Sequence, residues 1–146
     1  MSNFFRHNLR HPSVQTLFDF WDIERKGQPM PRQRHLNSAA IIPWAENLII
    51  LKVQERKNFS YGFYGIGLKQ AFGVDMTGAD VGSLPPEQAA VLRAEYRAVV
   101  NNQKPNWRIY TAWFQDTMQT WERLTLPLAN ERGSVGLLLV GAYRLN

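Results

Sequence analysis

The stretch NWRIYTAWFQDTMQTWERLTLPLANERGSVGLLLVGAY, residues 106–143, decides the fold of this chain. Three runs in it, 106–114, 118–128 and 134–143, are rich in the aromatic and β-branched residues that favour strands. Turn formers separate them at Gln115-Asp116 and at Asn130-Glu131-Arg132-Gly133. The pattern predicts a meander of three antiparallel strands at the C-terminal end of the sheet.

Two more strands are predicted upstream. Residues 47–53, NLIILKV, are too few and too β-branched to favour a helix, and a turn at 55–58 joins them to a second run. In that run Phe59, Tyr61 and Phe63 alternate with smaller or polar residues, as in a half-buried strand. We therefore expect a hairpin that opens a sheet of five antiparallel strands.

The segment between the second and third strands predicts a helical insert. Glycines interrupt residues 65–82, so only short elements fit there. Pro85-Pro86-Glu87 suits the first turn of a longer helix, and its apolar face is formed by Ala89, Leu92, Tyr96, Val99 and Val100. The predicted class is α+β, a five-stranded antiparallel sheet with one face covered by this insert.

An N-terminal outrigger helix is predicted over residues 13–26, with Ser13 as its cap and Gly27 at its end. Its apolar stripe could pack on its own domain or form a dimer interface, and we expect the homodimer. The stripe consists of Val14, Leu17, Phe18 and Trp21. Residues 1–12 are expected to be a flexible tail, and residues 13–146 a single domain.

Composition excludes several classes of protein. The 146 residues contain no cysteine, so disulfides, thiolate zinc sites and a cysteinyl-flavin adduct are ruled out. No leader and no long apolar run is present, and we expect a cytoplasmic protein without membrane insertion. Most of the net charge of +5 lies near the N-terminus, but the excess is small and its cations do not form a continuous basic run. This distribution disfavours nucleic-acid binding. The cations concerned are Arg6, Arg10, Arg25, Lys26, Arg32 and Arg34.

Six short strings, in order along the chain, resemble the pattern of one family. They are Phe20-Trp21, Met30-Pro31-Arg32, Ile42-Pro43, Tyr61-x-Phe63-x-Gly65, Asp75-Met76-Thr77-Gly78 and Glu122-Arg123-Leu124-Thr125-Leu126-Pro127-Leu128. The chain resembles a bacterial group of stand-alone PAS-like proteins that is common in alphaproteobacteria, over about residues 14–143. This resemblance implies a PAS fold and a sensory role, without implying a particular ligand.

Groups that could support catalysis or metal binding have simpler interpretations. His7, His11 and His35 precede the first strand, which disfavours haem in the insert pocket, and the pair His7 and His11 has no third ligand nearby. Asp75 and Asp80 flank Thr77-Gly78, where they are ordinary turn formers. Glu122 and Arg123 alternate on a strand, so we expect at most one of them to face inward, with a partner such as Arg108.

Aromatic side chains from several elements are predicted to converge on one sheet face, either as filled core or as the lining of a ligand cavity. The candidate pocket residues are Tyr61, Phe63, Phe72, Tyr96, Trp107, Tyr110, Trp113 and Trp121. We expect a non-catalytic sensory module that binds an unidentified small ligand, a protein partner or both, and that signals through a partner. The alternatives are a small enzyme using Asp75, Tyr110 or Arg108 as acid-base groups, and a nucleic-acid-associated protein using the N-terminal arginines.

Overall fold

A computed structural model describes residues 3–146 as helices packed on both faces of one sheet. The helices are α1 (Asn3–His7), α2 (Pro12–Glu24), α3 (Ile66–Phe72) and α4 (Pro86–Asn102). The strands are β1 (Leu48–Gln54), β2 (Asn58–Tyr64), β3 (Asn106–Phe114), β4 (Thr117–Ala129) and β5 (Val135–Arg144). Short 3-10 turns occur at Gln33–His35, Ser38–Asn47 and Val81–Ser83.

The five strands form one antiparallel sheet in the order β2-β1-β5-β4-β3. The meander β3-β4-β5 and the hairpin β1-β2 join through the β1·β5 pairing, in which Leu48 lies opposite Gly141 and Leu51 opposite Leu138. The predicted α+β class and the five-stranded antiparallel sheet are therefore confirmed. Strand β3 has the predicted bounds, and the other strand ends differ by at most one residue from those that the pattern suggests.

The two faces of the sheet are covered by different helices, because successive residues of a strand point to opposite sides. On β4, Arg123 bonds to Glu95 of α4, while its neighbour Glu122 bonds to the backbone just before α2. We call the face under α3 and α4 the inner face and the face under α2 the outer face. The helical insert covers the inner face, as the sequence predicts.

Helix α2 packs on the outer face of its own sheet. The prediction that its apolar stripe forms a dimer interface is therefore wrong. The four stripe residues are at most 3% exposed. Gly141 of β5 makes room for Leu17, since a Cβ there would lie 2.6 Å from Leu17 Cδ2. The indole Nε1 of Trp21 donates to the carbonyl of Pro127 at 2.8 Å. Intramolecular packing, the alternative that the sequence left open, is what the structure contains.

The segment before α2 is packed rather than free, which differs from the predicted tail over residues 1–12. Leu9 is only 2% exposed, and Arg6 pairs with Asp19 of α2 at 2.9 Å. His11, rather than Ser13, caps α2, because its Nδ1 accepts from the Ser13 backbone N–H. Residues 1 and 2 lie outside the described part of the chain. Within residues 3–146, no helix is long and apolar enough to cross a membrane.

Candidate functional site

A cleft of about 860 Å³ opens between the inner face of the sheet, helix α4 and the loop that precedes it. Its size falls in the range of small-molecule sites, and apolar groups make up most of its wall. The lining side chains that carry rings or charges are Tyr61, Tyr64, Phe72, Tyr96, Arg108, Tyr110, Trp113, Phe114, Arg123 and Glu87.

A β-bulge on β2 places two tyrosines side by side in this cleft. Leu51 of β1 lies opposite Tyr61, whereas Ile49, two positions away, lies opposite Tyr64, so β2 has one residue more than β1 over this interval. Tyr61 and Tyr64 therefore both point to the inner face, with ring centroids 5.6 Å apart and planes at 79°. Gly62 is the small residue in this irregular stretch, and its neighbour Phe63 is turned outward and 39% exposed.

Two arginines on adjacent strands share one carboxylate at the cleft wall. Arg108 of β3 lies directly opposite Arg123 of β4, an arrangement that like charges disfavour. Glu95 of α4 bridges them, since one carboxylate oxygen binds Arg108 and the other binds Arg123. The guanidinium of Arg123 also lies over the ring of Tyr110, 5.0 Å from its centroid. The Arg123 and Glu95 side chains are 12% and 14% exposed, so water screens this pair weakly.

The tyrosines of the cleft stay protonated at neutral pH. Burial raises the pKa of Tyr61 and of Tyr64 to about 12, and each group also responds to the charge of a neighbouring tyrosine. Burial raises the pKa of Tyr96 and Tyr110 as well, against an opposing effect of Arg123. These four tyrosines all line the cleft, so their protonated hydroxyls supply donors for a ligand there.

The cationic group in the wall keeps its charge. Burial alone would lower the pKa of Arg123. The nearby Tyr96, Glu95 and Tyr110 together raise this pKa by more than burial lowers it, so the net shift is upward. Arg108 is 42% exposed at the rim, where its guanidinium remains in contact with solvent. The site therefore combines an apolar body, several phenols and two guanidinium groups.

Comparison with known families agrees with this arrangement of sheet, insert and cleft. A family model described as the PAS domain matches residues 9–143, which is most of the chain. The chain belongs to the PAS domain family. No curated protein matches the chain significantly.

Solved structures share the fold of this PAS domain at low sequence identity. The PAS domain of Bordetella pertussis BvgS has a TM-score of 0.58 and 13% identity, covering 74% of this chain and 82% of that one. A sensory box sensor histidine kinase from Vibrio cholerae has a TM-score of 0.53 and 11% identity, covering 74% and 88%. VqmA bound to DPO has a TM-score of 0.58 and 11% identity, covering 73% and 56%. At these identities the likeness establishes the fold alone.

The structure brings five of the eight predicted pocket residues to the cleft of the PAS domain and places three elsewhere. Phe63 faces outward because of the bulge on β2. Trp107 lies on the outer face, where its Nε1 donates to Glu122 at 2.7 Å. Trp121 is 3% exposed and packs as core against Phe72, with ring centroids 4.9 Å apart. The five that line the cleft are Tyr61, Phe72, Tyr96, Tyr110 and Trp113.

Sequence reasoning missed Tyr64 and the role of Arg123 in the cleft. Strict alternation along β2 assigned Tyr64 to the outer face, and only the bulge reverses that assignment. Glu122 and Arg123 were expected to include one inward residue that needed a partner. Both are largely buried, on opposite faces, and each has partners of its own. The signal that could have found the cluster is the pair of arginines at facing positions in the meander, since it requires a carboxylate from another element.

The candidate carboxylates Asp75 and Asp80 have turn-forming roles in this PAS domain. Asp75 accepts from the backbone N–H and hydroxyl of Thr77 at 2.9 and 2.6 Å, and these bonds hold its pKa below the usual value. Asp80 similarly accepts from Gly82. Over residues 3–146, no group of three or more His, Asp or Glu side chains is placed to hold a metal ion.

Two of the N-terminal cations that the nucleic-acid alternative would use are engaged within the chain. Arg6 pairs with Asp19, and Arg25 pairs with Asp22. Arg32 and Arg34 instead line a separate surface cleft of about 490 Å³ near Arg132. Arg25 and Lys26 lie near Arg32 beside Trp21, but this ring is only 1% exposed and is not free to stack on the bases of a single strand.

Proposed function

We propose that this PAS domain is a sensory module whose inner-face cleft binds a small ligand. The observation that carries the proposal is the cleft itself, about 860 Å³ with mostly apolar walls and a few convergent polar groups. Buried rings of Tyr61 and Tyr64 supply flat apolar contact, and their hydroxyls supply orientation. Support for a sensory role also comes from the family match and from the sensor proteins that share the fold.

Binding of a neutral fluorescent probe tests this proposal. N-phenyl-1-naphthylamine brightens when it leaves water for an apolar site, and we expect a saturable increase with the purified protein. Ala112, half-buried at the cleft wall on β3, is the position to block. Ala112→Trp should weaken probe binding by about tenfold or more, because the indole occupies space that the probe needs.

The next residue on the same strand supplies the control. Thr111 faces the other side of β3 and is exposed, so Thr111→Trp adds the same indole without entering the cleft. Its affinity for the probe should match that of the parent. Absence of saturable binding to the parent, or equal losses in the two variants, would contradict the proposed cleft function.

We further propose that the signal passes to a protein partner, and that any homodimer forms through a surface other than the α2 stripe. Trp113 and Met118 lie opposite each other on β3 and β4 and are 67% and 46% exposed. Trp113 lies at the edge of the cleft, but this apolar pair is on the face of β3 and β4 that also carries Thr111, opposite the cleft wall. Sedimentation of the parent and of Trp113→Ser with Met118→Ser across a wide dilution series tests self-association through it. A cytoplasmic location and membership of the stand-alone group remain predictions from the sequence.

A further inference from the structure

The polar groups of the cleft wall supply more donors than acceptors. Tyr61, Tyr64 and Tyr110 bring hydroxyl groups, and Arg108 and Arg123 bring guanidinium groups that can only donate. The raised pKa values of the tyrosines keep their hydroxyls protonated at neutral pH. A ligand that complements this wall needs hydrogen-bond acceptors at its polar end.

The charges of the wall leave an excess of one positive unit. Two guanidinium groups carry +2, and the carboxylate of Glu95 that they share carries −1. Glu87 also lines the cleft, but it precedes Glu95 by eight residues, about 12 Å along α4, so its charge lies away from the two arginines. The cleft therefore favours an anionic group placed next to Arg108 and Arg123.

The carboxylate of Glu95 does not use all the N–H donors of the two arginines. Each oxygen of Glu95 takes one arginine, through Nη1 of Arg108 and Nη2 of Arg123. A guanidinium has five N–H donors, so each arginine retains donors for another acceptor. A ligand carboxylate can therefore bind without displacing Glu95, and it makes charge-assisted hydrogen bonds that are stronger than neutral ones.

The walls around this charged corner indicate the body of the ligand. Rings of Phe72, Tyr64 and Phe114 border the cleft together with the aliphatic side chains of α4 and β1. Flat apolar groups pack well against such rings in offset or edge-on arrangements. We propose that the cleft selects a monocarboxylate with an aromatic body, whose carboxylate contacts Arg108 and Arg123. This inference rests on the proposed cleft function and specifies its ligand class.

A matched pair of probes tests the ligand class. 1-Naphthoate and 1-naphthamide have the same ring system and differ in whether the polar group is an anion or a neutral amide. Calorimetric titration at low salt should give an affinity for the naphthoate at least about tenfold higher, as a charge-assisted hydrogen bond predicts. Equal affinities, or tighter binding of the amide, would overturn the inference while leaving the proposed cleft function intact.

Three variants locate the selectivity. Arg108→Gln, at an exposed position, should abolish most of the preference, because it lowers the affinity for the naphthoate far more than the affinity for the amide. Arg97→Gln removes an equal charge from an exposed position of α4 outside the cleft lining, and should retain the preference. Glu95→Gln should increase the preference, because it removes the one carboxylate that the two arginines share.

The outcomes separate the ligand class from the cleft function. If Arg97→Gln and Arg108→Gln lower the preference equally, the selectivity comes from net charge rather than from the cleft, and the inference fails. If the parent binds neither naphthalene compound nor the neutral fluorescent probe, the proposed cleft function fails as well. Loss of preference only in Arg108→Gln, with a gain in Glu95→Gln, supports the assigned carboxylate position.

Discussion

Glu122 of β4 offers the sharpest test of what attaches the segment before α2 to the outer face of the sheet. Its carboxylate is fully buried on the outer face, at 0% exposure. One oxygen accepts from the backbone N–H of Arg10 at 2.8 Å and from Nε1 of Trp107 at 2.7 Å, and the other accepts from the backbone N–H of His11 at 2.7 Å. Three donors from two separate elements thus depend on one side chain.

Glu122→Gln keeps the shape of the side chain and removes one of the three hydrogen bonds to it. The amide oxygen can replace the carboxylate oxygen that accepts two bonds, but the amide NH2 then faces the N–H of His11, which has lost its acceptor. A lost hydrogen bond to a charged group costs about 1.5–3 kcal/mol. With a urea dependence of about 2 kcal/mol per M for a domain of this size, the unfolding midpoint should fall by roughly 1 M.

Glu122→Ala should destabilise more, by about 3–5 kcal/mol, because all three donors lose their acceptor inside the protein. The exposed Glu131→Gln serves as control and should stay within about 0.5 kcal/mol of the parent. In Glu122→Gln the backbone amide of His11, which loses its acceptor, should also exchange with solvent faster. An unchanged midpoint for Glu122→Gln, or equal midpoints for the two Glu122 variants, would refute this account.

The structure supports three further predictions. Leu17→Ala should lower the free energy of unfolding by about 2–5 kcal/mol without changing the sedimentation coefficient, because its face is covered intramolecularly. Gly65→Ala should cost about 2 kcal/mol in urea unfolding, since its Cβ would lie 2.3 Å from a backbone oxygen, whereas Gly62→Ala, which meets mainly a flexible lysine, should cost less than about 0.5 kcal/mol. Burial raises the pKa of all five tyrosines, and to about 12 for Tyr61, Tyr64 and Tyr143, so absorbance at tyrosinate wavelengths should rise at a higher pH in the folded protein than in the unfolded chain; the contribution of these three to stability is complete below the unfolded-state pKa near 10 and is lost as pH rises toward about 12.

The sheet could be predicted from the sequence because its signals are local. Strand β3 ends where Gln115 and Asp116 adopt positive φ angles of 51° and 63°, a hairpin-turn geometry in which Asp is an enriched residue type. The apolar face of α4 follows directly from helical spacing, and Leu92 and Tyr96 are buried as that spacing predicts. Such features need no knowledge of distant contacts.

The site was less predictable because it depends on non-local pairing. The bulge on β2 exchanges the faces of Phe63 and Tyr64, and the period-2 pattern contains no sign of it. The apolar stripe of α2 shows that the helix is covered, but not what covers it; Gly141, far along the chain, provides the space that settles the choice. A stripe alone cannot distinguish an intramolecular face from a dimer interface.

Strand β4 connects the ligand cleft with the N-terminal segment through two consecutive residues. Arg123 reaches inward to Glu95, and Glu122 reaches outward to the backbone of Arg10 and His11. Because a strand is stiff and its neighbours alternate between faces, a shift of β4 that accommodates a ligand at Arg123 must also move the acceptor at Glu122. A small displacement of one strand would alter contacts on both faces together.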